Sequence, residues 1–241
     1  MFGSRAVARR RAKDEAEKPF WISFADLMSA LMVLFLVVMS VALSSVTKKL
    51  SEQEQEQERR DKDIRKILAR FDSAAAKFPG ITVDSKRYVI DFGDRAQFAF
   101  ARSSLTGAQD SLLRAFVPEI LIRSNDELGR RILKRIVVEG FTDKTGSYLS
   151  NLNLSLQRSQ RVLCAMFATP LVGETPLTLE EREQIRALFL VGGYSFNAAK
   201  DTDELSRRVE MRLEFLGLGE ERSQSEGIPP GNFGKCALGG T

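Results

Sequence analysis

The 241-residue chain contains no histidine. That absence removes imidazole metal sites, Ser-His-Asp catalysis and histidine proton relays together. Cysteine is scarce as well: Cys164 and Cys236 stand far apart and show no metal-ligand spacing. In an oxidising compartment they can pair; two unrelated free thiols are the other reading. No nucleophile–base pair, phosphate-binding glycine loop or metal cluster stands out, so the chain is not expected to be an enzyme and needs no cofactor. Charge is the most telling shortage. Between Phe20 and Val46 a single side chain is charged, Asp26. As a helix that run measures about 40 Å, enough to cross a hydrocarbon core of about 30 Å with some tilt. A carboxylate in such a segment is costly, so it faces a partner or a water-filled path and marks an ion or proton route.

What is present sets the orientation. Net charge is +4, and Arg5, Arg9, Arg10, Arg11 and Lys13 crowd the head of the chain, whereas Lys48 and Lys49 flank the far end of the apolar run. A basic head can bind nucleic acid, but beside a hydrophobic helix it reads more simply as the positive-inside signal. The expectation is a single-pass inner-membrane protein with a cytoplasmic N-terminus, its bulk in the periplasm of a Gram-negative cell, and no direct nucleic-acid partner. Ala42-Leu43-Ser44 can pass for a signal-peptide cleavage site. The apolar run is longer than the usual 7–15-residue core of such peptides and contains Asp26, which favours a retained anchor.

Five segments follow from composition: a basic tail at 1–19, a transmembrane helix at 20–46, a helical stalk or linker at 47–79, a folded domain at 80–216 and a Gly-, Ser- and Pro-rich tail at 217–241. Phe20 and Trp21 suit the membrane interface. Ala25, Asp26, Ser29, Ala30 and Val33 share a face of small and polar residues, which suggests helix packing there and not lipid. Ser51–Arg70 favours helix by propensity, with an apolar face emerging at Ile64, Ile67, Leu68 and Phe71; a flexible charged linker is the alternative. The domain reads as strands at Ile81–Val83 and Tyr88–Phe92, a helix opened by Thr106, a strand at Ile132–Glu139, a helix at Tyr148–Phe167, an insertion at Thr169–Glu183 with Thr178 as a helix cap, and a terminal strand pair at Phe189–Ser195 and Val209–Phe215. That order predicts an α+β sandwich with helices on one sheet face.

The densest motif is Val138-Glu139-Gly140-Phe141-Thr142-Asp143-Lys144-Thr145-Gly146, continuing through Asn151, Leu154, Ser155, Arg158 and Val162 at helical spacing. Thr142 and Asp143 fall near a helix N-terminus, where free N–H groups favour anions. Arg158 can offer a fork to a carboxylate and Asp143 can take an ammonium, a combination suited to a zwitterionic amino-acid centre. On spacing alone, a buried Asp–Arg pair tying loop to helix explains the residues equally well. The stretch resembles the peptidoglycan-binding motif of OmpA-like domains, Gly-His-Thr-Asp-x-x-Gly-x-x-x-x-Asn-x-x-Leu-Ser-x-x-Arg. Phe141 stands where that family has His, and Ser206-Arg207-Arg208-Val209 resembles its closing Asn-Arg-Arg-Val with Ser in place of Asn. The resemblance covers residues 81–216 and implies a βαβαβ-type sandwich. It also implies that Asp143 and Arg158 bind the diaminopimelate of the peptide stem, with Thr142, Asn151 and Leu154 shaping the groove.

One acid-bearing membrane helix joined to such a domain resembles the B subunit of flagellar-type stators, whose Tyr-Ala-Asp-Phe motif is matched by Phe24-Ala25-Asp26-Leu27. Closer still is the stator-like B subunit of Zorya anti-phage systems, through Ser23-Phe24-Ala25-Asp26-Leu27-Met28-Ser29-Ala30-Leu31-Met32, the short basic head, the Gln/Glu-rich stalk and the Cys-containing tail. Ser51–Arg60 is too polar for the amphipathic plug of flagellar B subunits. The resemblance implies that Asp26 carries translocated H⁺ or Na⁺. It implies two copies of the chain inside a ring of five multi-span A subunits (MotA-like or ZorA-like). It further implies anchorage to peptidoglycan and action through the A subunits on cytoplasmic defence effectors. The alternatives are a flagellar-type stator subunit or a wall tether without motor activity.

Overall fold

The computed structural model describes residues 11–222, 230–236 and 238, with side chains from residue 21 onward. Arg5, Arg9 and Arg10 of the basic head lie outside the described residues, as does part of the tail expected at 217–241. The chain divides into two compact units, residues 1–57 and 58–241.

The first unit is helical. Helix α1 runs Arg11–Ala75. No glycine or proline interrupts residues 20–75, and Leu, Met, Glu, Gln, Lys and Arg dominate, all strong helix formers. The helix starts well before Pro19, so the last part of the segment expected as a tail is helical too. Trp21 onward is long and apolar enough to cross a membrane. Residues 21–57 are exposed throughout, including Leu27, Leu31, Leu34, Phe35 and Val38. An apolar surface of this extent needs lipid or other helices to cover it.

The second unit takes in the end of α1. Ile64, Ile67, Leu68, Phe71, Ala74 and Ala75 are buried, at the spacing of one helix face. Residues placed in the stalk by composition therefore belong to the domain core. Strands β1 (Thr82–Asp84) and β2 (Val89–Asp91) form a hairpin. Its turn is held by Asp84, whose carboxylate accepts the Lys86 and Arg87 N–H groups. Helix α2 (Gly107–Asn125) starts in a reciprocal capping box between Thr106 and Gln109. Helix α3 (Glu127–Ile132) leads into β3 (Leu133–Gly140), which delivers the chain to α4 (Tyr148–Phe167). The insertion ends in α5 (Leu179–Leu188), capped by Thr178 and Glu181, and is followed by β4 (Phe189–Gly193), α6 (Asp203–Ser206) and β5 (Val209–Phe215).

The sheet order is β1-β2-β5-β3-β4, antiparallel except for the β3–β4 pair. The last two strands are not neighbours: β3 lies between them. Ile90, Ile136, Val138, Met211 and Leu213 of the sheet pack with Leu113, Phe116 and Ile120 of α2, Val162, Ala165 and Met166 of α4, and Ile67 and Phe71 of α1. Each of these side chains except Ala165 contributes about 1.5–3 kcal/mol by leaving water. Glu210, on the face of β5 that alternation assigns to solvent, is fully buried because Arg87, Arg208 and Lys200 close over it. Its cross-strand neighbour Glu139 is covered by Arg212, at 2.5 and 2.9 Å.

The C-terminal segment is tied down. Cys164 of α4 and Cys236 form a disulfide, with Cα atoms 5.5 Å apart. Arg222 donates to the carbonyls of Leu133, Ser124 and Gly129. The Gly231 N–H reaches Glu183, and Phe233 lies against Phe167 with ring centroids 5.1 Å apart. Of the two readings left open for the cysteines, the structure shows the pair.

Candidate functional sites

In the first unit, Asp26, Ser29, Ala30, Val33, Leu34 and Val37 line one shallow groove along α1. The Ser29 hydroxyl donates to the Ala25 carbonyl four residues back, so its hydrogen points into the helix. Asp26 carries the one carboxyl of the groove. Under lipid or packed helices a lone carboxylate costs several kcal/mol and needs a counter-charge, a proton or a bound cation.

In the second unit the site grows from a close crossing of α4 over the ends of β3 and β4. A Cβ at Gly140 would lie 1.9 Å from the Ser155 carbonyl oxygen, and one at Gly193 would lie 2.8 Å from the Leu156 nitrogen. Only glycine allows that approach. Past Gly140 the Phe141 and Thr142 N–H groups bond the carbonyls of Arg208 and Ser195. Asp143 then folds the loop: one carboxylate oxygen accepts the Thr145 N–H at 3.0 Å and the other accepts Arg207 Nη1 at 3.2 Å. Asn151 donates from Nδ2 to the Thr145 carbonyl, and Gly146, at φ +101°, turns the chain into the Ser147 cap of α4.

The structure thus gathers Thr142, Asp143, Asn151 and Arg158 around one loop, with Leu154 half-buried on the next turn of α4. All four are buried: Thr142, Asp143 and Asn151 are 1%, 4% and 5% exposed, and the Thr142 hydroxyl has no hydrogen-bond partner. Arg158 is fully buried. Its Nε, Nη1 and Nη2 donate to the carbonyls of Arg102, Phe141 and Ala99, and its guanidinium lies 5.0 Å from the centre of the Phe98 ring. Burial brings its pKa down to about 10, against the pull of nearby Asp143. The direct partner of Asp143 is Arg207, which also reaches Glu204 and the Phe98 carbonyl. Phe141 is buried between Tyr194, with ring centroids 5.4 Å apart, and the Arg208 guanidinium, 4.3 Å from its ring. An apolar ring thus fills the position where a histidine would offer two ring nitrogens.

Arg207, Phe98 and Ser195 were not singled out from sequence as parts of this site. The Arg207-Arg208 pair was a signal for the first. Nothing in the pattern marks the other two, because long-range folding brings them to the loop.

Residues 7–55 match a family described as "Membrane MotB of proton-channel complex MotA/MotB". Over 233 residues the chain is 45% identical to the Zorya protein ZorB of Escherichia coli O139:H28 (strain E24377A / ETEC), covering 95% of each chain. Among solved structures it is similar to the cell wall anchor of the T6SS from Pseudomonas aeruginosa, with 23% identity, TM-score 0.36, and coverage of 60% of this chain and 94% of that one. It is also similar to a periplasmic domain of Helicobacter pylori MotB, with 17% identity, TM-score 0.36, and coverage of 53% and 75%.

Proposed function

We propose, from the premise that the chain belongs to the Zorya ZorB family of MotB-like stator B subunits, that it is the ion-carrying, wall-anchored subunit of a rotary membrane motor used against phage. The observation that carries this reading is Asp26: a single carboxylate set on an exposed apolar helix, in a groove floored by Ser29 and Ala30. Small residues let another helix approach closely. Two copies of the chain inside a ring of five MotA-like or ZorA-like subunits would cover that surface and place Asp26 where ions enter from the periplasm and leave to the cytoplasm. H⁺ neutralises the carboxylate directly; Na⁺ needs further oxygen ligands. Each ion crossing about 100 mV releases about 2.3 kcal/mol, so several must act per mechanical step.

The second unit is the anchor. With the N-terminus cytoplasmic it lies in the periplasm, where a disulfide such as Cys164–Cys236 persists. The peptide stem of peptidoglycan would meet the loop of Thr142, Asp143 and Asn151, flanked by Leu154. Asp143 supplies a carboxylate for an ammonium, and the unpartnered Thr142 hydroxyl supplies a hydrogen bond. Arg158 acts from beneath, holding the Phe141 and Ala99–Arg102 segments and lending positive potential. Anchored there, the B dimer stays fixed while the A ring turns around it, and the ring passes the motion to cytoplasmic effectors.

The test is phage plating efficiency with the chain in its native gene neighbourhood, wild type against Asp26→Asn, with membrane expression measured. Protection should be lost while expression is unchanged. Full protection by Asp26→Asn would sink the ion-carrier role and leave a wall tether; swimming that depends on Asp26, with no protection by either protein, would make the chain a flagellar-type stator subunit.

A further inference from the structure

Among the described residues, three other than glycine have a positive φ: Tyr88, Ala101 and Ser195. Two of them adjoin the loop site. Ala101 lies in the Ala99–Arg102 segment whose carbonyls hold Arg158, and Ser195 follows β4. Left-handed backbone is unfavourable for a residue with a Cβ, so its persistence points to something the side chain or its neighbours gain. At Ser195 (φ +55°) glycine would fit the backbone better, yet the residue is serine and fully buried.

All of its polar groups are used, and each reaches a different part of the site. Its carbonyl accepts the Thr142 N–H at 3.0 Å. Its N–H donates at 3.0 Å to the Ser155 hydroxyl, which itself donates to the Leu152 carbonyl within α4. Its hydroxyl donates at 3.2 Å to the Tyr148 carbonyl in the first turn of α4. One residue therefore links the loop of Thr142 and Asp143 to the helix of Asn151, Leu154 and Arg158. We infer that Ser195 is a positioning residue: its hydroxyl sets the first turn of α4 against the Thr142–Asp143 loop, and so sets the width of the groove that receives the peptide stem. The inference rests on the reading of that loop as a wall-binding site.

The test uses the full chain in detergent, binding of purified peptidoglycan sacculi, and thermal midpoints. Ser195→Gly removes the hydroxyl and relieves the backbone; Ser195→Ala removes the hydroxyl and keeps the strain. Asp143→Ala is the control for the site. Both Ser195 variants should bind sacculi more weakly than wild type, and by the same factor. The Gly variant should melt within about 2 °C of wild type, and the Ala variant lower. Equal loss of affinity at unequal stability ties the effect to the hydroxyl. Binding like wild type by both variants, with Asp143→Ala abolishing binding, overturns the role of Ser195 and leaves the wall site standing. Affinity that follows the melting points overturns it too, as a plain stability effect. If Asp143→Ala binds as well as wild type, the wall-site reading fails and the inference falls with it.

Discussion

Arg158→Ala separates two roles that predict opposite things about stability. If Arg158 reached out to a ligand, its loss would cost binding but leave the fold within about 0.5 kcal/mol. The geometry assigns it to the interior. Three guanidinium nitrogens donate to three backbone carbonyls, at 3.0, 2.7 and 3.3 Å, and no part of the side chain is exposed. Charge-assisted bonds contribute about 1.5–3 kcal/mol each, a gross value of about 4.5–9 kcal/mol. Against this stands the cost of keeping a cation out of water, which the mutation relieves. The 3.3 Å bond is the weakest, and the carbonyls of the Ala99–Arg102 segment can recover water once the side chain is gone. The net expectation is destabilisation of about 3–5 kcal/mol. Natural domains hold about 5–15 kcal/mol, so the variant should be folded but marginal.

The assay is urea-dependent proteolysis of the detergent-solubilised chain, read at the second unit, beside sacculus binding in the absence of urea. Arg158→Lys is the companion. Lysine keeps the charge but cannot reach three divergent carbonyls, so it should rescue less than half of the loss. A shift below about 1 kcal/mol in Arg158→Ala, with binding abolished, would refute the interior role and return Arg158 to the ligand surface.

Two further outcomes follow from the insertion and the tail. The Cys164–Cys236 bond closes a loop with a sequence separation of 72 residues, for which chain entropy allows about 4 kcal/mol, so reduction or Cys164→Ser should lower the urea midpoint of the second unit; an unchanged midpoint refutes it. Glu174 is gripped by Arg114 at 2.6 and 3.0 Å and accepts the Leu171 N–H, and these bonds, Arg114 first, hold its carboxyl down to about 2. Because its folded pKa lies below the ordinary 4.5, its contribution is complete above about pH 5 and fades as pH falls toward 2. Wild type should therefore melt higher than Glu174→Gln at pH 7, and the gap should close between about pH 4.5 and 2; a gap independent of pH refutes the linkage.

Much of this was legible because it is local. Caps such as Thr106 and Thr178, the alternation of β5 and the helical spacing of Asn151 and Arg158 depend on neighbours a few residues away. The apolar face at Ile64, Ile67, Leu68 and Phe71 was visible too, yet its place in the domain core was not, since an amphipathic helix face does not name what it packs on. The short helices α3 and α6 escaped because one or two turns leave no periodicity to read. Alternation along β5 points Glu210 outward, and its burial depends in part on Arg87, which is distant in sequence. The partner of Asp143 was missed for the same cause. Sequence spacing suggested Arg158, while the fold brings Arg207 to the carboxylate and turns Arg158 toward the backbone.

The treatment of carboxylates in the two units sharpens the reading of Asp26. In the second unit each deeply buried acid has a guanidinium in reach: Glu139 has Arg212, Glu210 has Arg87 and Arg208, and Asp143 has Arg207. Those pairings are how a fold offsets the removal of a charge from water. The stretch 21–46 offers Asp26 no basic side chain of its own, and the lysines at 48 and 49 lie about 33 Å farther along the helix at 1.5 Å per residue. Whatever covers this apolar face must also answer the charge, and lipid cannot. On the proposed reading, a helix stretch with no other charge meets a protein partner at one height, and a carboxylate that takes and gives up a cation there needs no fixed counter-charge.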